Sequence, residues 1–191
     1  TKGLKMSRNL AFVKCLPLGL LCCFCAFAQG QTEPLKRNVL VLNSYHLAYP
    51  WTSEVVRGVA SVLTTQPFEV ELWTEFLDAK RVAAPGAFEA FRSFLVGKYD
   101  GIRMDLIIAS DDEAAAFLLQ HRLDAFGDVP VVFCGVSDEK LLRQLPRTTF
   151  TGVRENFDTE RLVRFAAGVF PGTELMVVVT DHSANGAGVK K

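Results

Sequence analysis

Three short apolar runs, each handing over to a polar loop and then to a segment of helical periodicity, constrain this chain more than any other feature. The first, Val39-Leu40-Val41-Leu42, is apolar on both faces and leads into Ser44-Tyr45-His46 and then Pro50-Trp51-Thr52. Such a run reads as a strand buried between helices. Further strands are predicted at 68–76, with Phe68, Val70, Leu72 and Trp73, at 106–109 and at 131–134. Helices are predicted between them. Residues 52–64 carry Val55, Val56, Val59, Val62 and Leu63 on one face, the helix after Pro85-Gly86 carries Phe88, Phe91 and Leu95, and the one after Ser110 buries Ala114, Phe117 and Leu118. Ser110 and Glu113 have capping-box spacing.

Beyond Cys134 a short helix is expected at 139–145 and a short edge strand at 149–153. A helix capped by Asp158 and ended by Pro171-Gly172 follows, then a last strand at 175–179. The alternation β-α-β-α-β-α-β, then α-β, implies an α/β fold, a parallel sheet with helices on both faces.

The amino end reads as an export signal. Arg8 and Lys14 precede an uncharged, mostly apolar stretch from Cys15 to Ala28, and Ala26-Phe27-Ala28 fits a cleavage site. The stretch is short for a membrane span, which needs about 20 residues. Residues 1–28 are thus expected to be a signal peptide and 29–38 a linker, with a periplasmic mature protein. Cys15, Cys22, Cys23 and Cys25 fall inside the signal, leaving Cys134 as a buried filler. Residues 1–28 hold four of the 21 basic residues and no acid, so the remainder carries 17 basic against 21 acidic residues, a formal charge of −4. A mildly acidic body without a Lys/Arg cluster argues against nucleic acid as a partner.

In an open α/β sheet, ligands sit beyond the carboxyl ends of the strands. Five loops should meet there. They bring Ser44, Tyr45, His46 and Trp51; Asp78; Ser110, Asp111 and Asp112; Gly135, Val136 and Ser137; and Thr180, Asp181 and His182. Hydroxyls, carboxylates and aromatic faces on one rim suit a small polar or aromatic ligand. Trp51 stands equally well as a stacking platform or as core packing. Asp111 and Asp112 either complement the helix dipole or select a cationic or hydroxyl-rich ligand. A triad from Ser44, His46 and Asp111 lacks a nucleophile elbow. Three histidines are too few for a convincing metal site, and the loop after the first strand lacks the glycines of a phosphate cradle.

Several segments together resemble a known family: Val39-Leu-Val-Leu-Asn-Ser-Tyr-His46, Tyr49-Pro-Trp-Thr52, Arg57-Gly58, Leu77-Asp78-Ala-Lys-Arg81, Leu106-Ile-Ile-Ala-Ser-Asp-Asp112, Pro130-Val-Val-Phe-Cys-Gly-Val136 and Thr151-Gly-Val153. In this order and spacing they look like the periplasmic sensor region of bacterial sensor histidine kinases and diguanylate cyclases. That region is similar to the substrate-binding proteins of ABC transporters, with the type I periplasmic binding-protein fold.

The resemblance implies two lobes with ligand between them. Residues 39–153 would be lobe one, 154–182 the truncated start of lobe two and 183–191 a disordered tail. The expected function is an extracytoplasmic small-molecule sensor domain, itself neither enzyme nor cofactor-dependent. The alternative is a soluble substrate-binding protein of an ABC transporter. Membrane association would run through an uncleaved amino-terminal segment or through regions following this sequence.

Overall fold

The computed structural model describes residues 35–179, apart from 83, 85, 157 and 178. The expected signal peptide, most of the linker, Thr180, Asp181, His182 and the tail lie outside the described residues. The elements run β1 (Lys36–Asn43), α1 (Pro50–Leu63), β2 (Glu69–Phe76), α2 (Ala87–Lys98), β3 (Leu106–Ser110), α3 (Asp111–Phe126), β4 (Val131–Val136), α4 (Glu139–Gln144), β5 (Phe150–Arg154) and α5 (Thr159–Val169). The five strands form one sheet of order β2-β1-β3-β4-β5, parallel throughout. The fold class is the expected α/β sheet flanked by helices.

Right-handed crossovers dictate where the helices lie. The chain moves from β1 to β2 in one direction, then passes back to β3 and onward to β5. That places α1 on one face and α2, α3 and α4 on the other. Side-chain alternation agrees. Leu40, Leu42, Ile107, Ala109, Val131 and Phe133 join one buried cluster with Leu95 of α2, Phe117 and Leu118 of α3, and Leu141 of α4. Val39 and Val41 are equally buried but lie outside that cluster. At roughly 1.5–3 kcal/mol for each large apolar side chain, this cluster is the main stabilising term.

Three expectations change. β1 begins at Lys36, within the expected linker, because polar residues are tied into the sheet: Asn38 N donates to Asp105 Oδ2 at 2.9 Å and Arg37 pairs with Asp105 at 3.0 Å. The apolar face of α1 is only partly covered, with Val62 60% exposed. At 175–179 the described residues form no strand, and Leu175 and Val177 stand open to solvent. A strand holds only where a neighbour takes up its backbone groups, and here none does.

β5 is the expected edge strand, and it pairs so closely with β4 that only glycine fits at one position. A Cβ on Gly152 would collide with the carbonyl oxygen of Phe133. Among the described residues no helix is long and apolar enough to cross a membrane.

Candidate functional site

All five strands point the same way, so their carboxyl ends share one edge. The chain reverses direction between β1 and β3, which is the switch point where such sheets open a crevice. Residues at this edge are linked across strands. Ser44 continues the β1–β3 ladder: its N–H donates to Ser110 O at 3.1 Å, and its hydroxyl donates to the same oxygen at 2.7 Å. Ser44 Oγ also accepts from Ala114 N at 2.9 Å. This corrects the capping-box expectation. The Ser110 hydroxyl turns instead to Asp111 Oδ2, at 3.1 Å, and α3 is capped from another strand. Ser44 and Ser110 are fully buried and build the rim from beneath. The hydroxyl hydrogen of Ser44 goes to a carbonyl and not to His46.

No loop separates β3 from α3, and the turn falls on Asp111, with φ 71°. A left-handed residue is what lets a strand pass directly into a helix, and Asp tolerates that region better than most. Asp78 at the end of β2 has φ 55°, and Gly135 near the end of β4 has φ 73° beside a register shift between Cys134 and Val136. Left-handed turns thus occur at three strand ends along one edge. Outliers of this kind cluster at functional sites.

Asp111 is 3% exposed. Burial pushes its carboxyl up to about 7; hydrogen bonds from Ser110 and Trp51 oppose that rise, and the charges of Glu113 and Glu155 add to it. Trp51, at the first turn of α1, is 42% exposed while its indole bonds Asp111. A Cβ on Gly135 would lie 3.1 Å from Trp51 Cζ2 and 3.4 Å from Asp111 Oδ1. Glycine therefore lets the indole settle against the β4 turn while the residue stays 42% exposed. Trp51 is a rim residue and not core.

Asp112 does something else. Its Oδ1 accepts from Ser137 N at 2.9 Å and Asp138 N at 3.0 Å, and its Oδ2 accepts from the Ser137 hydroxyl at 2.9 Å. It clamps the β3 and β4 ends together. Val136 is fully buried and serves as core beneath Ser137.

On the β2 side, Tyr45 is buried, and its phenol is held well above its ordinary range, first by burial and then by Glu113, to which it hydrogen-bonds. Tyr45 and Tyr49 meet edge to face with centroids 5.1 Å apart, and the Lys80 ammonium stands 4.6 Å from each ring centroid. Asp78 pairs with Arg81 at 2.6 Å, which lowers its carboxyl pKa, and His46 is near enough to add to that lowering. At the far end Glu155 joins the acids. Burial and the charge of Asp112 raise its pKa.

His46, Asp78, Ser110 and Ser137 therefore share one edge of one sheet, with Ser44, Tyr45, Trp51, Asp111 and Gly135. Sequence reasoning missed Glu113, Glu155, Tyr49 and Lys80. Glu113 was visible only as a capping-box partner of Ser110, Tyr49 and Lys80 only inside the Tyr49–Thr52 and Leu77–Arg81 segments, and Glu155 only by its acidic character. Among the described residues no group of three or more His, Cys, Asp or Glu could hold a metal ion.

No family model matches the chain, and no curated protein does. A solved structure, the crystal structure of a conserved domain protein from Vibrio cholerae O1 biovar eltor str. N16961, is similar with a TM-score of 0.51 and 19% sequence identity. The likeness covers 71% of this chain and 44% of that one. At this identity it shows the fold alone. The present chain thus spans less than half the length of that structure.

Proposed function

We propose that the described domain is the solute-binding lobe of an extracytoplasmic sensor protein, exported through its amino-terminal segment. One observation carries the reading: a part-exposed indole, a buried carboxyl and a left-handed glycine turn meet at the switch point of a parallel sheet. Ligand crevices form at that place in this architecture. The rim is acidic and aromatic, so it favours a small solute that donates hydrogen bonds and offers a flat face. In the family that the sequence resembles, a second lobe closes over the bound solute, and closure would bury the exposed part of Trp51. Ligand capture biases a two-state equilibrium to the extent that the closed state binds more tightly. The proposed role is binding without turnover.

Trp51 is the reporter. The second tryptophan, Trp73, sits in β2 in edge-to-face contact with Tyr99. In a Trp73→Phe protein, solutes that raise the melting temperature should also shift Trp51 emission. Solutes that stabilise the protein while leaving Trp51 emission unchanged would overturn the assignment of the rim.

A further inference from the structure

We propose a second ligand site, next to the rim and bordering it at Glu113 and Ala79, for a small organic amine. It is a groove of about 480 Å³ between the β2–α2 connection and α3. One wall is built from small side chains, Ala79, Ala84 and Ala87, with Gly86 between them, and this leaves room for an apolar body. Phe88 lines the groove and meets Phe117 edge to face, with centroids 5.8 Å apart.

The facing wall comes from α3, where Glu113 and His121 line the groove on the stripe that also holds Phe117 between them. Phe117 is fully buried, and its ring holds the His121 ring at 4.9 Å. The described lining holds two carboxylates, Glu89 and Glu113, and no Lys or Arg. Glu89 is already engaged by Arg92 at 2.9 Å.

Glu113 is the anchor. Its carboxylate takes the hydrogen bond of Tyr45, yet its Oε2 is buried with no hydrogen-bond partner. A buried carboxylate oxygen without a donor is costly, and an ammonium supplies both donor and charge. Apolar room beside one under-satisfied carboxylate defines the ligand: an alkylamine with a compact hydrocarbon body. The inference does not rest on the rim reading, because it draws on Glu113 and the groove's apolar wall and not on Trp51, Asp111 or Gly135.

The probe is cyclohexylamine, with cyclohexanol and cyclohexanecarboxylate as isosteric controls, titrated into the full chain and followed by amide chemical shifts. The amine alone should move resonances of residues 86–89, 113 and 120–121. Glu113→Gln keeps the acceptor for Tyr45 but removes the charge, and should weaken binding by at least about tenfold. Ala84→Phe, at an exposed position away from the core, should abolish binding by filling the groove. An equal response to cyclohexanol, no response to the amine, shifts confined to residues 135–137, or unchanged binding in both variants would each overturn the proposal.

Discussion

The sheet core and the segment after β5 carry similar hydrophobic patterns and meet opposite fates. In the core, Leu40, Leu42, Ile107, Phe117 and Leu118 are sealed from solvent. In α5 the apolar residues also fall on one face, yet Leu162, Phe165 and Val169 are 66%, 68% and 51% exposed, and no α5 residue is buried. Amphipathic patterning says which face of a helix wants a partner; it does not supply one. In the core the partner comes from strands distant in sequence, brought together by the parallel topology. The two regions should therefore respond very differently to substitution.

The largest expected effect is at Phe117. It is fully buried and touches Phe88, Phe91 and His121. Phe117→Ala should cost about 3–5 kcal/mol in chemical denaturation. A loss of under 1 kcal/mol would show the core to be far looser than described.

Next comes Asp111, where core and rim compete. A carboxyl whose pKa is raised by folding contributes stability fully present below its unfolded value of about 3.8, and that stability is lost as pH rises through about 7. At about 1.4 kcal/mol per pH unit, the full shift corresponds to roughly 4 kcal/mol. Asp111→Asn should remove this slope. It should be the more stable protein near pH 8 and lose that advantage by about pH 4, as read by denaturant melts across pH. Parallel pH profiles for the two proteins would contradict the buried-carboxyl account.

A smaller effect is expected at Gly135. Alanine there must adopt a left-handed backbone at roughly 1–2 kcal/mol and press on Trp51. The emission of Trp51 should shift together with the loss of stability. A stability loss without a spectral change would mean that the indole does not rest on this turn. The smallest effect belongs to α5: Phe165→Ser should change stability by no more than about 0.5 kcal/mol. A loss like that of Phe117→Ala would show that the two regions do not differ after all.

Much of the fold was legible because burial on both faces of a strand leaves a short, wholly apolar run. The runs at 39–42, 106–109 and 131–134 all form sheet, and the 3.6-residue patterns at 52–64 and after Pro85-Gly86 form helices. The strand expected at 175–179 shows the limit. Its composition is right, but pairing needs a neighbour, which composition cannot show.

The rim was legible as a place, because parallel strands must end together, but its division of labour was not. Ser44 caps a helix 70 residues away, a contact without local signature. Asp111 and Asp112 are adjacent and look alike, yet one faces Trp51 and the other clamps Ser137. The left-handed turn at Asp111 separates them, and although the strand at 106–109 running straight into a helix at Ser110 was legible, that backbone turn was not.

The most direct test of the central claim, that the carboxyl edge of the sheet holds the solute, is amide shift mapping with any solute that raises the melting temperature. The account predicts that the changes gather at residues 44–46, 78–79, 110–112 and 135–137. Changes gathered at the opposite edge, around Lys36, Asp105 and Thr149, with those four segments silent, would contradict it.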